Sequence, residues 1–441
     1  MSETPNVPPR HQYEAFLRQL PADWEQKEIT QVGAVVGGGT PSRAAPSFWR
    51  GSIPWVTPGE VSGEAAKLLH DTNEHISASG LAGSGANLLP AGSLLVTTRA
   101  TLGARVINAV PMATNQGFKS IVFKKPEEAS YYYHLFERVK PELVRRASGT
   151  TFLEISGGEF GSIKVPSPSA AEKLKIAELL DTLDTAIHQT EAIVEKLKQV
   201  KQGLLHDLLT RGVDANGELR PSYEDAPHLY QDSPVGWIPK EWEATQLGAV
   251  TAWASGGTPS RAIPSNWIGP VPLLTPKDMK SFEMSDTSER ISLKAAKIGS
   301  RVMPAETVFI VVRGMILAHS FPVVLTNKPM AFNQDVKAVT AGQRLSGRFL
   351  AHWFVANSGQ FLRKVTEATH GTKKLDMDNL LGMPIGLPPL NEQAAIVERE
   401  AALDRHGKDE SSYLLQLLAL KAGITDDLLT GRVRVTPLLA Q

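Results

Sequence analysis

The chain contains no cysteine, which excludes a disulfide framework, a zinc–thiolate site, an iron–sulfur cluster and a thiol nucleophile. The first twenty residues contain three prolines and no apolar core of a signal peptide. The most apolar stretch, residues 302–325, is interrupted by two prolines and by Glu306, Arg313 and His319, so it cannot span a bilayer as one helix. We therefore expect a soluble, cytoplasmic protein.

Motifs of the common catalytic sites are also missing. No P-loop occurs, and the sequence has neither a His-Glu-x-x-His motif nor the Asn/Asp-Pro-Pro-aromatic loop of adenine methyltransferases. Gly37-Gly38-Gly39 is followed by Thr-Pro-Ser-Arg, which is a poor start for a dinucleotide-binding helix. We expect no active site, no metal and no cofactor in this chain.

Charge gives no simple pointer to a partner. The 46 basic side chains are balanced by 46 acidic ones, so the net charge is zero. A large positive charge, which is the usual sign of nucleic-acid binding, is therefore absent. Any binding of nucleic acid would need basic residues to cluster on one face, or partners that supply phosphate contacts.

The most informative feature of the 441 residues is an internal repeat. Residues 20–61 align without a gap on residues 238–279, and 19 of these 42 pairs are identical. The motif Gly-Gly-Thr-Pro-Ser-Arg occupies residues 38–43 and again 256–261. The repeat is too long for a solenoid unit and suits a whole domain with a connector. The chain is therefore a duplicated protein.

Each half is predicted to be a globular α+β domain followed by one long helix. Short apolar runs at residues 93–98, 120–123, 307–312 and 322–325 are typical of strands. Residues 131–146 and 347–366 have the periodicity of amphipathic helices. The predicted boundaries are 1–165 for the first domain, 166–213 for the first long helix, 214–240 for a linker, 241–388 for the second domain, 389–432 for the second long helix and 433–441 for a tail.

The long helices carry a heptad seam, which predicts a coiled coil. The apolar seam positions are Ile176, Leu180, Leu183, Ile187, Val194, Leu197, Leu204 and Leu208 in the first helix and Ile396, Leu403, Leu414, Leu417, Ile424 and Leu428 in the second. Thr190 and Lys201 interrupt the first seam, and Gly407 and Glu410 the second. Glycine costs about 1 kcal/mol of helix stability, so continuity of the second helix at Gly407 stays open. We expect the duplicates to pair with pseudo-twofold symmetry, antiparallel rather than parallel.

The candidate ligand-binding residues are repeated between the halves or occupy equivalent places in them. The candidates are Gly38, Gly39, Thr40, Ser42, Arg43, Arg99, Asn115, Gln116, Ser148, Thr150 and Thr151 in the first half and Gly256, Gly257, Thr258, Ser260, Arg261, Arg313, Asn333, Gln334, His370, Thr372, Lys373 and Lys374 in the second. Arginine suits phosphate or guanine, and asparagine or glutamine suits adenine.

Each candidate also has a structural interpretation. Thr40 and Thr258 fit helix caps followed by Pro41 and Pro259 in the first helical position. Thr57 and Thr275 fit caps better than ligands. Arg99 and Arg313 fit ion pairs equally well, and the Asn-Gln pairs fit turns.

Two similar domains, each followed by a long helix ending in Leu-Leu-Thr-Arg-Gly or Leu-Leu-Thr-Gly, resemble the specificity subunit of type I restriction–modification systems. The Gly-Gly-Thr-Pro-Ser start of each domain and the proline-rich entry into each helix are part of this resemblance, which covers nearly the whole chain.

The resemblance implies a non-catalytic subunit with two target recognition domains, each reading one half of a split double-stranded DNA target. The helices would act as a spacer and as a platform for two methyltransferase subunits that bind S-adenosyl methionine and methylate adenine. A further restriction and translocase subunit would use ATP and Mg.

Two rival functions stay open on the residues alone. A coiled-coil scaffold carrying two protein- or carbohydrate-binding domains would explain the duplication equally well. A self-contained restriction and methylation enzyme agrees poorly with the absence of motor, nuclease and methylation motifs.

Overall fold

A computed structural model describes residues 11–61, 67–149, 153–367 and 371–439. The chain forms two compact units. The first consists of the described parts of Met1–Glu191 and Tyr413–Gln441, and the second of those of Ala192–Ser412. Each long helix therefore contributes one part to each unit.

The first unit contains a mixed α+β domain. Its helices are α1 (His11–Arg18), α2 (Ile29–Val32), α3 (Ala78–Ala82), α4 (Ala129–Arg146), α5 (Gly157–Gly161) and the first part of α6 (Ala170–Thr210). Its strands are β1 (Glu25–Glu28), β2 (Gly33–Gly37), β3 (Trp49–Val56), β4 (Leu68–Leu69), β5 (His75–Ile76), β6 (Leu94–Thr97), β7 (Arg105–Asn108), β8 (Ala113–Thr114), β9 (Phe118–Phe123) and β10 (Lys164–Ser167). Short 3-10 helices cover Pro46–Phe48, Pro58–Glu60 and Pro126–Glu128.

The second unit repeats this order of elements. Its strands are β11 (Tyr230–Gln231), β12 (Ile238–Pro239), β13 (Glu243–Gln246), β14 (Thr251–Ser255), β15 (Val271–Leu274), β16 (Glu283–Met284), β17 (Arg290–Ile291), β18 (Val302–Met303), β19 (Val308–Val311), β20 (Val323–Thr326), β21 (Met330–Phe332), β22 (Val336–Ala341), β23 (Thr366–Glu367), β24 (Lys373–Lys374) and β25 (Pro384–Leu387). Its helices are α7 (Leu247–Val250), α8 (Leu293–Gly299), α9 (Gly347–Ala356), α10 (Ser358–Arg363), α11 (Met377–Leu381) and the first part of α12 (Leu390–Thr430). Its 3-10 helices are Pro227–Leu229, Pro264–Trp267 and Met315–Ala318, while α13 (Thr436–Leu439) belongs to the first unit.

The two domains share one topology, which confirms the predicted α+β duplication. The main sheet has the strand order β2-β9-β6-β7-β4 in the first domain and β14-β22-β19-β20-β16 in the second. A smaller sheet is built around β3 in the first and around β15 in the second. In each domain the strand before the long helix pairs antiparallel with the strand that follows the repeated tryptophan, Trp24 or Trp242: β10 pairs with β1, and β25 with β13.

One predicted helix is wrong in its extent. Residues 347–366 do not form a continuous helix, because α9 ends at Ala356, α10 begins at Ser358 and Thr366 starts β23. Asn357 ends α9, because its φ of −92° and ψ of 7° lie outside the α-helical region. Its amide and its side chain both donate to the Trp353 carbonyl, at 3.0 and 2.9 Å. The first-domain counterpart, α4, does span residues 129–146 as one helix.

The predicted linker, residues 214–240, is folded against the second domain. Tyr230 and Ile238 are buried, and β11 pairs antiparallel with β12. Arg220 in the same segment is also buried. The segment is therefore held by packing as well as by chain connectivity.

The long helices pair antiparallel, as predicted. In the first unit, Lys421 near the end of α12 forms an ion pair with Asp184 in the first half of α6. In the second unit, Lys201 near the end of α6 contacts Glu400 at 2.9 Å and Asp404 at 2.5 Å in the first half of α12. Early residues of one helix thus meet late residues of the other. All the predicted apolar seam residues are buried or half-buried.

The second long helix is continuous at Gly407. Residues Leu390–Thr430 form one α-helix, and the Ser411 hydroxyl donates to the Gly407 carbonyl at 2.7 Å. A Cβ atom built on Gly407 would have no heavy atom within 4 Å. The glycine is therefore tolerated without a break and is not needed for close packing.

Candidate nucleic-acid interface

The glycine pair that opens each shared motif is required for close backbone packing. A Cβ on Gly38 would lie 2.0 Å from the carbonyl oxygen of Asn115, and one on Gly256 would lie 2.1 Å from that of Phe332. The next amide in each motif, from Gly39 or Gly257, donates at 2.9 Å to the carbonyl of residue 114 or 332. These glycines fix the loop against the Asn-Gln turn, and the amides of Gly39 and Gly257 are used within the fold.

The threonine of the motif bonds to the glutamine of that turn. The Thr40 hydroxyl donates to Gln116 Oε1, and the Thr258 hydroxyl donates to Gln334 Oε1 at 2.7 Å. The residues after each threonine form a turn and no helix. The interpretation of Thr40 and Thr258 as helix caps, with Pro41 and Pro259 in the first helical position, is therefore wrong, since the hydroxyls serve a long-range contact.

Thr57 caps a helix, as predicted, whereas Thr275 makes the same local contacts at the start of a turn and caps no helix. Glu60 accepts from the Thr57 amide at 2.8 Å and from its hydroxyl at 3.2 Å, at the start of a 3-10 helix. Asp278 accepts equivalent bonds from Thr275 at 3.0 and 2.7 Å within a turn.

Turn formation also occupies the two candidate asparagines. Asn115 Oδ1 accepts from the Gly117 amide at 2.8 Å, and Asn333 Oδ1 accepts from the Asp335 amide at 3.2 Å. These contacts match the turn interpretation of the two Asn-Gln pairs.

The motif arginines form a second matched arrangement, an Arg–Glu–Trp clamp. Arg43 makes a two-pronged ion pair with Glu74, and its guanidinium carbon lies 3.8 Å from the ring centre of Trp49. The hydrogen bond from Arg43 lowers the pKa of Glu74 below its ordinary value.

The second clamp repeats this geometry. The two terminal guanidinium nitrogens of Arg261 each lie 2.8 Å from an oxygen of the Glu289 carboxylate, and the guanidinium carbon lies 3.5 Å from the Trp267 ring centre. Ser42 and Ser260 contribute carbonyl oxygens that accept from the indoles of these tryptophans at 3.1 Å. Both clamps are surface features with their arginines partly neutralised.

A charged edge lies where β6 and β19 end. Arg99 forms an isolated antiparallel bridge with Glu154, and Arg313 forms the equivalent bridge with Lys374. Glu154 lies 3.7 Å from Arg99 Nε and 3.7 Å from Lys119 Nζ. The ion-pair interpretation therefore holds for Arg99. No ion pair involves Arg313 among the residues that the structure describes.

The remaining candidates are partly accessible. Ser148 forms a backbone bridge with Glu154 and is exposed. Thr372 is half-buried, Lys373 pairs with Glu367 at 2.8 Å, and Lys374 pairs with Asp376 at 2.9 Å. Thr150, Thr151 and His370 lie outside the described residues.

Three kinds of site residue are missing from the sequence prediction. Glu74 and Glu289 are 215 residues apart, so an ungapped comparison at the spacing of the motif does not align them. Lys119 and Lys337 are 218 residues apart, and extending the motif alignment would have found them. Glu154 is the third, because the second half has Lys374, itself a candidate, in the equivalent place, so identity between the halves cannot reveal Glu154.

A buried polar cluster joins α4 to the long helices in the first unit. His134 Nε2 lies 2.6 Å from Asp181 Oδ1, and ligand atoms of His134, Asp181 and Asp184 all lie within 4.8 Å of one another. Lys67 and Lys421 also contact these carboxylates. Burial raises the pKa of Asp181, but hydrogen bonds from His134, Lys67 and Ser130 outweigh it and lower that pKa to about 2. Because ammonium groups already compensate the carboxylates, this cluster is a structural joint.

Comparison with known proteins places the chain in a family. The family model described as the type I restriction modification DNA specificity domain matches residues 21–199 and again residues 239–411. The chain belongs to the type I restriction–modification specificity subunits. The double match has the same period as the two domains.

Specificity subunits of several organisms are similar in sequence. The type I restriction enzyme MjaIX specificity subunit of Methanocaldococcus jannaschii is 30% identical over 253 residues, which are 57% of each chain. The EcoR124I/EcoR124II specificity subunit of Escherichia coli is 30% identical over 173 residues, 39% of this chain and 43% of that one. These alignments thus span about half the length of the two relatives. The MjaVIII specificity subunit is 22% identical over 95% of this chain and 94% of its own.

Solved structures of specificity subunits have the same fold. The S subunit from M. genitalium gives a TM-score of 0.54 at 12% identity and covers 97% of this chain and 98% of its own. The HsdS subunit from Thermoanaerobacter tengcongensis gives 0.50 at 16% identity, covering 94% and 98%. Among the described residues, no helix is long and apolar enough to cross a membrane.

Proposed function

We propose that this specificity subunit reads an asymmetric, two-part target in double-stranded DNA. Each domain recognises one half-site. The chain positions two adenine methyltransferase subunits, which bind S-adenosyl methionine, and restriction and translocase subunits, which use ATP and Mg. The subunit contributes recognition and no catalysis of its own.

The observation that carries this proposal is a shared framework with unlike charged edges. Both domains have the same strand order, the same Thr–Gln contact and the same Arg–Glu–Trp clamp. At the end of β6 the bridge contains Glu154, whereas at the end of β19 it contains Lys374. Two readers of unlike half-sites need such a difference, while two identical readers would favour a palindrome.

The neutral net charge agrees with DNA binding if phosphate contacts are local. Many basic residues in the two domains are held in ion pairs, including Arg43, Arg105 and Arg261. Arg313 is exposed at the edge of the second domain, next to Lys374. Binding would then be salt-dependent with a shallow slope, because few phosphates are neutralised by this chain.

The helices supply the spacer in this proposal. Antiparallel pairing is fixed in register by the contacts of Lys421 with Asp184 and of Lys201 with Asp404. A spacer of fixed register makes the separation of half-sites a geometric constant. Deleting one heptad from each helix keeps the pairing register and should shorten the unread gap without changing the bases read.

Domain exchange tests the proposal. Residues 23–165 are replaced by the equivalent domain of a relative, and the complex is assembled with its partner subunits. Sequencing of methylated genomic DNA should show one half of the target changed and the other half kept. A coiled-coil scaffold for protein or carbohydrate would show no DNA sequence preference to change. A changed gap with both halves intact would also contradict the proposal.

A further inference from the structure

Residues shared by the two domains cannot explain how the domains differ in what they bind. The Thr40–Gln116 contact recurs as Thr258–Gln334, and the Arg43 clamp recurs around Arg261. Identical contacts in both copies hold the same loops in the same shape. Selectivity must come from positions where the backbone is retained and the side chain is not.

Positions 154 and 374 meet that condition. Glu154 pairs with Arg99, and Lys374 pairs with Arg313, each through an isolated antiparallel bridge at the end of the equivalent central strand. The neighbouring amides agree as well. Ile155 N donates to the Thr98 carbonyl at 3.1 Å, and Leu375 N donates to the Val312 carbonyl at 2.9 Å. The backbone therefore places the two side chains in equivalent positions.

Matching lysines lie on the strand next to β6 and on the strand next to β19. Lys119 lies opposite Val96 in the β6–β9 ladder, and Lys337 lies opposite Ile310 in the β19–β22 ladder. In the first domain Glu154 stands between two cations.

In the second domain three cations occupy the equivalent places, and the Lys374 ammonium has one carboxylate partner, Asp376, at 2.9 Å. The Glu154 side chain is 41% exposed and that of Lys374 is 42% exposed, so both are accessible to a ligand.

The chemistry of the two groups is complementary. A carboxylate accepts hydrogen bonds and suits the N4 amino group of cytosine in the major groove, while it is repelled by phosphate. An ammonium group donates and suits the O6 and N7 atoms of guanine. Arg99 and Lys119 hold the Glu154 carboxylate in place, so that the group is oriented before DNA binds.

We propose that positions 154 and 374 determine specificity, with Glu154 selecting a cytosine in one half-site and Lys374 selecting a guanine in the other. This inference rests on the proposed reading of a two-part DNA target. It adds which position of each domain discriminates and which base each one selects.

The test uses the full chain assembled with its methyltransferase subunits. Glu154→Lys should change one base pair of one half-site and reduce methylation of the original target roughly 5- to 100-fold, since a good base contact discriminates by that much. The other half-site and the gap should be kept. Lys374→Glu should have the same effect on the other half-site.

A matched control separates specificity from net charge. Glu137 lies on α4 of the first domain and is 64% exposed, so Glu137→Lys makes the same charge change away from the edge. It should leave the methylated sequence unchanged. Glu154→Gln keeps an acceptor oxygen and should relax the preference at the same base pair without moving it elsewhere. If Glu154→Lys fails to assemble, Glu154→Gln and Lys374→Glu decide the matter.

Three results would overturn the inference. An unchanged target in both charge-reversal variants would show that these positions do not discriminate. Uniformly weaker methylation, with the same bases and a lower salt slope for Lys374→Glu, would assign Lys374 to a phosphate. Selection of bases other than cytosine or guanine at the affected positions would refute the assignment. A wild-type complex that methylates no two-part target would instead refute the proposed function.

Discussion

Each long helix starts with a buried glutamate that pairs with an arginine, and the two arginines differ in how exposed they are. In the first unit, Glu172 at the start of α6 accepts from Arg434 at 2.6 Å, and Arg434 also reaches Asp23 at 2.7 Å. In the second unit, Glu392 at the start of α12 accepts from Arg220 and from the Trp242 indole at 3.1 Å. Both copies therefore have an arginine–glutamate ion pair at the start of the long helix.

The two ion pairs differ in the solvent exposure of the arginine. The Arg434 side chain is 28% exposed and that of Arg220 is 10% exposed, whereas their partners Glu172 and Glu392 are equally buried, at 5% and 7%. Burial raises the pKa of Glu172, but hydrogen bonds from Arg434 and Ser169 outweigh it and lower that pKa below its ordinary value. Duplication thus preserves the connection between domain and helix while the charged sheet edges diverge.

Removing the buried ion pair between Arg220 and Glu392 should have the largest effect on stability. Arg220→Ala leaves Glu392 buried without its cation, which typically costs about 3–5 kcal/mol. Urea unfolding should show this loss. Arg434→Ala should show a smaller one, because water can reach the place of the more exposed Arg434 guanidinium and solvate Glu172. Arg405→Ala, which removes an exposed pair with Glu398, is the control and should change little. Equal losses of unfolding free energy for Arg220→Ala and Arg434→Ala would show that the exposure of the arginine does not set the cost.

The second largest effect should be a loss of stability in acid that comes from the buried histidines and not from exposed ones. Burial lowers the pKa of His134 and of His352 despite the nearby carboxylates of Asp181 and Glu400. The unfolded chain then binds these protons more readily, so stability is present above about pH 6.5 and falls as pH drops below it.

Replacement of the two histidines tests this pH dependence. His134→Gln and His352→Gln should each flatten the dependence of the melting temperature on pH in this range. His188→Gln, at a 68% exposed position, should not. A steep acid loss that survives in the double variant would have another source.

Removal of either Thr–Gln hydrogen bond should lower the free energy of unfolding by a similar amount. Thr40→Val and Thr258→Val each delete a hydroxyl that donates to a glutamine, and a typical hydrogen bond contributes about 0.5–1.5 kcal/mol. Matching losses in the two domains, measured by denaturant unfolding, would support their equivalence. A loss confined to one domain would break the comparison.

The smallest predicted effect is a gain in stability. Gly407→Ala in α12 and Gly203→Ala in α6 add a Cβ that meets no heavy atom within 4 Å. Each should stabilise by up to about 1 kcal/mol, since alanine is the better helix former. Thermal unfolding of the two variants provides the measurement, and a loss at Gly407 alone would indicate a packing role there.

Local periodicity made the helices predictable from the sequence. The heptad seam predicted one long helix within residues 166–213, where α6 covers Ala170–Thr210, and the gapless repeat established two copies of one domain. The helix at residues 347–366 was wrong in its extent, because periodicity does not register that Asn357 leaves the helical conformation.

The contacts of the candidate site were less predictable, because they join distant residues. Arg43 meets Glu74 and Thr40 meets Gln116 only after the sheets form. The repeat marked both ends of the Thr40 contact but not Glu74. It could not mark Glu154, because the second copy has a lysine at the equivalent position.

Sequencing of methylated adenines in cells with and without this chain tests the central claim most directly. The account predicts one motif that appears only with the chain, composed of two unlike half-sites separated by a fixed unread gap. A palindromic motif, a motif with a variable gap or no chain-dependent methylation would contradict it.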